Sequence, residues 1–325
     1  SGCMLGNPAI SVIADAYSKG IRTFDAEKAY RYAVNSSAKF GNDALGYTPG
    51  NMGVAQTLEY AYTDWCISQL AGYLNKEEDA QLFLQKSKAY KNIFDKEKGW
   101  FRPRNADGTW MPWPEEGRMK EGYGCMEANI YQQGWFVPHD LDGMVALMGG
   151  KEKVLADLRS LFEHTPKNML WNQYYNHANE PVHFVPFLFN QLGHAYETQK
   201  WTRFICQNAY HNKVEGLVGN EDVGQMSAWY VLAASGIHPA CPGLDFMEIT
   251  SPIFDRIEFQ LDPDYYNGKK FTIIVHNNSP ENIYIQRALM EGRDYNLPHV
   301  NWKDIAAGAT LELFMGDKPN PDFGK

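Results

Sequence analysis

The sequence predicts a mainly α-helical protein, a partial toroid of paired helices followed by a small antiparallel β-sandwich domain. Two patterns carry this expectation. Through the first 240 residues, apolar side chains recur at helical spacing in segments joined by alternately short and long connections. Near Pro242 the period changes to two, and turn clusters separate short β-branched and aromatic runs. No repeat of about 34 or 40 residues is evident, which argues against a solenoid. The expected division is 1–240 for the helical region and 241–325 for the β-domain.

Asn7-Pro8 opens the first helix, with Asn as cap and Pro in the first turn; Ile10, Ile13, Ala14 and Tyr17 share one face before Gly20. Asp25 caps a second helix through Ala29, Tyr30, Ala33 and Val34. Glycine and proline crowd 41–53, a long loop. A long amphipathic helix is expected over 54–74, on Val54, Leu58, Ala61, Trp65 and Leu70, and another from Asn75 that fades near Phe94. The stretch 99–124 has little periodicity and reads as a second long loop. Helices are expected again at 141–147, 151–163, 185–191, 194–210 and 225–236. Strands are expected at 246–250, 257–261, 271–275, 283–286 and 310–314, with Asn267-Gly268 and Asn277-Asn278-Ser279-Pro280 as turns.

The chain has 325 residues, 44% of them apolar and 14% aromatic, enough for a sizeable core. Its net charge of −9 and lack of a long Lys or Arg run argue against nucleic-acid binding, which requires a basic surface. Five cysteines at wide spacings (Cys3, Cys66, Cys125, Cys206, Cys241) form neither a CxxC metal pair nor an expected disulfide framework. Cys66 and Cys206 fall in helical apolar patterns and read as core. No apolar run approaches the roughly 20 residues needed to span a bilayer. No signal peptide is visible, and the abrupt start at a helix reads as a fragment, so location is open.

Three clusters in the long connections mix carboxylates, amides, histidines and aromatics. The first, 125–140, holds Glu127, Trp135 and Pro138-His139-Asp140. The second is Asn176-His-Ala-Asn-Glu-Pro-Val-His183, and the third runs from Gly219-Asn-Glu-Asp222 to Trp229. A pyranose presents an apolar ring face for stacking and a rim of hydroxyls for hydrogen bonds, so such mixtures suit a sugar cleft. Glycoside hydrolysis needs two carboxyl groups, and Glu127 and Asp222 are candidates because they lie on separate loops. Carboxylates at helix starts also serve as caps, which is the structural reading of Glu180 and Asp222. Asn179-Glu180 and Asn220-Glu221-Asp222 offer oxygen ligands for a hard cation such as Ca²⁺. No nucleophile elbow, phosphate-binding loop or HExxH is present.

On these residues the chain resembles glycoside hydrolase family 92. The resemblance is carried by Glu127-Ala-Asn, Trp135-Phe-Val-Pro-His-Asp140, Asn179-Glu-Pro181 and Gly219-Asn-Glu-Asp-Val-Gly-Gln-Met-Ser-Ala-Trp-Tyr230. Gly6-Asn-Pro-Ala9, Leu58 to Trp65 and Asn277 to Gln286 add to it, all in order along the chain. The family implies Ca²⁺-dependent, inverting exo-α-mannosidases built from an N-terminal β-sandwich and an (α/α)6 toroid. It implies Glu127 as general acid, Asp222 in the general-base motif, and Asn179, Glu180, Trp135, His139 and Asp140 as substrate-binding residues. Asn179, Glu180 and His183 are the candidate metal ligands. Gln133 and Tyr131 stand where many members have Tyr and Trp. The family's N-terminal sandwich and opening toroid helices have no counterpart here, so the missing sandwich portion is an expected partner, beside a mannose-containing glycan.

The expected chemistry is single displacement at a terminal α-mannoside, with Glu127 protonating the leaving oxygen from aromatic surroundings and Asp222 activating water. Two alternatives remain open at this stage: a glycan-binding fragment without turnover, and an (α/α)6 hydrolase acting on another glycan. The family also implies a secreted, periplasmic or cell-surface location.

Overall fold

The structure, a computed structural model, describes residues 7–42 and 44–325; Cys3 and Gly6 lie outside them. It resolves into two compact units. The first comprises 1–161, 173–175 and 241–244, and the second 162–172, 176–240 and 245–325.

The first unit opens with α1 (Pro8–Ser18) and α2 (Ala26–Phe40), the latter capped as expected by Asp25, which accepts from the Lys28 N–H at 2.9 Å. The long helix α3 (Gly53–Tyr73) is buried on nearly every side, although it was expected to be amphipathic. A helix apolar all round belongs in a core. Ile10, Ala14, Tyr30, Ala33, Ile67 and Leu70 pack together from α1, α2 and α3. Asp64, deep in α3, accepts from the Ser37 hydroxyl at 2.6 Å, so α2 and α3 are joined by a polar bond inside this core. The helix expected from Asn75 starts later, as α4 (Glu77–Lys86), because Asn75 takes φ +59. A 3₁₀ turn (Ala89–Ile93) and a short hairpin, β1 (Phe94–Asp95) with β2 (Trp100–Phe101), follow. One turn of helix, α5 (Ile130–Gln133), then α6 (Leu141–Met148) and α7 (Lys151–Glu163), complete the helices that begin in this unit.

The second unit holds α8 (Leu188–Gln191), α9 (Ala195–Asn208), α10 (Gln225–Ser235) and α11 (Trp302–Ala307). Pro186, which lacks an N–H, sits in the 3₁₀ turn Val185–Phe187 that precedes α8, so the helix expected from 185 begins late. The strands are β3 (Ile237–His238), β4 (Phe246–Ile249), β5 (Arg256–Gln260), β6 (Lys270–His276), β7 (Tyr284–Met290), β8 (Arg293–Asp294), β9 (His299–Asn301) and β10 (Thr310–Gly316). They form a three-stranded sheet, β3-β4-β9, and a five-stranded sheet, β5-β6-β10-β7-β8. The expected all-antiparallel pairing is corrected here: β10 lies parallel to β6, with Leu311 opposite Ile273 and Leu313 opposite Val275. A parallel pair needs a crossover, and the chain makes it through β7, β8, β9 and α11. Phe271, Ile273, Ile285, Leu311 and Leu313 fill the core of this unit. Asn190 and Gln191 of α8 donate to the buried Glu248 carboxylate on β4 at 3.0 and 2.9 Å.

The architecture is therefore mainly helical with a smaller share of sheet. No helix among the described residues is long and apolar enough to cross a membrane.

Candidate active site

In the first unit, Glu127 is carried on a strap, 120–129, tied at both ends. The N–H groups of Val54 and Ala55, at the start of α3, donate to the Gly124 carbonyl at 3.1 and 3.0 Å, and the Gly122 N–H donates to Ala128 at 2.9 Å. Gly124 takes φ +78, and a Cβ there would lie 2.8 Å from Ile130 Cγ2 and 2.9 Å from Val54 Cγ2. Only glycine fits that space and that backbone. Beyond the strap, Asn129 and Gln132 form a capping box for α5, exchanging bonds of 3.0 and 3.2 Å. Their outward N–H groups reach the carbonyls of Gln173 and Tyr174 at 2.9 and 2.8 Å.

Between these ties Glu127 is exposed and takes φ +52. A left-handed non-glycine residue costs about 1 kcal/mol or more and persists where its surroundings dictate it, often at functional sites. Trp100 and Tyr131 are engaged by a neighbouring cation. The Arg118 guanidinium lies 3.8 Å from the Tyr131 ring centroid and 4.8 Å from that of Trp100. It also pairs with Asp157, whose carbonyl accepts from the Tyr131 hydroxyl at 2.9 Å.

Of three residues expected to bind substrate, Trp135 is buried and His139 and Asp140 are half-buried. Trp135 is fully buried edge-on against Trp100, ring centroids 5.1 Å apart, and presents no face to a sugar. His139 packs among Tyr62, Trp65 and Tyr90, and its Nε2–H donates to the Ser87 carbonyl at 3.0 Å. Burial pushes its imidazole down to about 4. Asp140 caps α6 through the Gly143 N–H at 3.2 Å and accepts from Lys88 Nζ at 2.7 Å and from the Tyr90 hydroxyl. Burial pushes this carboxyl up, but the donors outweigh it and hold the group below the usual range.

Glu59 was not legible as a site residue. It sits one turn beyond Ala55 on α3, half-buried, and no hydrogen bond or ion pair to it is found among the described residues. Burial alone raises its carboxyl to about 7, and its charge is felt by the buried Cys125 on the strap. The signal available in the sequence was an acid four residues from Ala55, on the helical face that meets the Glu127 strap.

In the second unit the segments 176–183 and 219–229 meet backbone to backbone. A Cβ on Gly219 would fall 2.8 Å from the Ala178 carbonyl oxygen. Buried behind them, His177 stacks on His183 at 4.5 Å and meets Trp229 edge-on at the same separation. His183 donates from Nε2 to the His177 carbonyl at 3.0 Å and accepts at Nδ1 from Gln225 Nε2 at 3.1 Å. Both of its ring nitrogens are therefore used, and the imidazole has no lone pair left for a metal. Asn179 and Glu180 are half-buried, Glu180 opening a 3₁₀ turn. Nearby, the Asn176 amide is buried with no partner for either side-chain atom.

The two carboxylates of the third cluster separate cleanly. Glu221 is used as a cap, accepting from the Ser227 N–H at 3.0 Å and its hydroxyl at 2.9 Å. Asp222 is exposed and takes φ +51, and its carboxylate makes no hydrogen bond or ion pair among the described residues. Among those residues no group of three or more His, Cys, Asp or Glu side chains is placed to hold a metal ion. The oxygen atoms of Asn179 and Glu180 suit a hard cation in kind; the nitrogen donor His183 does not.

A helical framework whose long connections carry carboxylates, amides and aromatics is of the class that glycan-processing proteins use. The chain belongs to glycosyl hydrolase family 92, whose catalytic-domain model matches residues 1–317. It is similar to a family 92 alpha-mannosidase from Bacteroides thetaiotaomicron, with 32% identity and a TM-score of 0.89 over 98% of this chain and 43% of that one. The same enzyme has been solved in complex with mannoimidazole. An inverting family 92 mannosidase from Bacteroides thetaiotaomicron VPI-5482 shares 30% identity at a TM-score of 0.87, over 100% of this chain and 48% of that one. An uncharacterized secreted glycosidase from Arthroderma benhamiae is 27% identical over 96% of this chain and 45% of its own length. The chain thus spans somewhat less than half the length of these relatives.

Proposed function

We propose that the chain carries catalytic residues of an exo-acting α-mannosidase that removes terminal mannose from glycans with inversion. The observation that carries this reading is the state of Glu127 and Asp222. Both are exposed carboxylates on left-handed backbone. The neighbours titled as mannosidases, one of them with mannoimidazole bound, support the choice of sugar.

In this reading Glu127 delivers a proton to the leaving oxygen, and Asp222 takes one from the attacking water. Asp222 suits the base role because no cap or ion pair occupies its oxygens. Asn179 and Glu180 would hold Ca²⁺, with His183 outside the ligand set, and the cation would supply a hard Lewis-acid contact for sugar hydroxyls. The domain assignment belongs to the same proposal: 1–240 as the closing part of an (α/α)6 toroid and 241–325 as its β-domain. The secreted relative supports a secreted, periplasmic or cell-surface location.

The test is hydrolysis of an α-mannoside with a poor leaving group by wild type, Glu127→Gln and Asp222→Asn. The proposal expects each variant to lose about 100-fold or more in kcat, the scale of general acid–base assistance. A Glu127→Gln variant retaining near wild-type rates removes the acid assignment. Mannose binding without turnover in wild type removes the enzymatic reading in favour of a glycan-binding role.

A further inference from the structure

The turn that presents Asp222 is the most strained stretch of the described backbone. Asp222, Val223 and Gly224 take φ +51, +59 and +94 in succession, and the β-branched Val223 is fully exposed, so no burial of its side chain compensates. Gly224 is the N-cap of α10 and lends no side chain to the helix start. Something outside the turn must hold it.

Two tethers do so. Glu221 accepts from Ser227, as described above. The other runs through Gln225, whose main-chain N–H closes the turn on the Asp222 carbonyl at 3.2 Å while its side chain reaches His183. We propose that His183 and Gln225 form a clamp that sets the position of the Asp222 carboxylate. The His183 ring accepts the Gln225 amide, and Gln225 in turn fixes the left-handed turn three residues back. The geometry requires one tautomer, with hydrogen on Nε2, since that nitrogen faces the His177 carbonyl and only a free Nδ1 lone pair can accept from Gln225. The rest of the ring's surroundings enforce this arrangement. Trp229 Nε1 donates to the His183 carbonyl at 2.9 Å, and His177 lies flat against the ring while bonding Tyr210 at 2.7 Å.

His183 is thus a positioning residue rather than a ligand. The inference deepens the reading of Asp222 as base, yet its test does not depend on that reading. The variants are Gln225→Ala, at an exposed position where folding is not at stake, and His183→Gln. The latter keeps a donor for the His177 carbonyl and offers an oxygen to Gln225. Nitrogen NMR of the wild-type His183 ring should show hydrogen on Nε2 and a hydrogen-bonded Nδ1. In Gln225→Ala, amide exchange across 222–226 should rise about tenfold, the scale of one net hydrogen bond. There kcat on an α-mannoside should fall by a similar factor at constant KM, with partial retention in His183→Gln. Unchanged exchange across 222–226 in Gln225→Ala, or hydrogen on Nδ1, overturns the clamp. Faster exchange in Gln225→Ala, with hydrolysis unaffected both there and in Asp222→Asn, leaves the clamp standing and overturns the base assignment instead.

Discussion

Glu127 and Asp222 both sit on left-handed backbone, but they are held there by different materials. The strap around Glu127 is tied largely by main-chain groups: two N–H groups of α3 on the Gly124 carbonyl, and Gly122 on Ala128. The turn around Asp222 relies on side chains: Glu221 on Ser227, and Gln225 on a buried neutral histidine. Main-chain ties survive most substitutions and fail only where the backbone itself must change. Side-chain ties can be cut one residue at a time, and one of them passes through a titratable ring. The proposed acid and base should therefore respond differently to mutation and to pH.

The largest effect should come from Gly124→Ala. The added Cβ meets Ile130 and Val54 inside 3 Å on a φ of +78, and a cost of about 3–4 kcal/mol is expected from denaturant unfolding. A cost below about 1 kcal/mol would mean that the strap is not held by close packing. Acid should act through two histidine rings, one in each unit. The His183 and His139 rings are lowered from 6.5 to about 4, so below pH 6.5 the unfolded chain takes up protons that the folded chain refuses. Stability should then fall as pH drops from about 6.5 to about 4, by about 3 kcal/mol for each ring. In His183→Gln the His183 share of that slope should vanish; an unchanged slope would show that the ring does not titrate as described.

Glu59 has the opposite sign. Its carboxyl is raised from 4.5 to about 7, so the folded chain binds the extra proton, and stability is lost as pH rises between those values. Glu59→Gln should remove that loss and raise stability at pH 8 by about 2 kcal/mol, less than the full shift because the group is only half-buried. Thermal melts at pH 5 and pH 8 check this, and equal effects at the two pH values would contradict it. The smallest effect is expected from Glu221→Ala, about 1 kcal/mol for loss of a helix cap.

Much of the fold was legible because local pattern decided it. The helix expected at 151–163 and the Asp25 cap agree with the structure, and five strands follow the period-two runs. The two- and three-residue strands β1, β2, β3, β8 and β9 were not legible, being too short to show a period. The parallel β6–β10 pair was hidden too, since it joins residues about 40 apart through a crossover that local pattern does not encode. At the site, the residue types around Glu127 were informative but their roles were not. The burial of Trp135 and the hydrogen bonds of the half-buried His139 and Asp140 are set by tertiary packing, which their residue types do not reveal. Glu221 and Asp222 are adjacent acids, distinguished only by which one reaches back to Ser227.

The central claim, that Glu127 and Asp222 serve a single displacement at a mannoside, is tested most directly by the first anomer released. Proton NMR during hydrolysis of an α-mannoside reads it before mutarotation. The account predicts that β-mannose forms first. Initial release of α-mannose would contradict it, since net retention requires a covalent intermediate and a nucleophile rather than a base at Asp222.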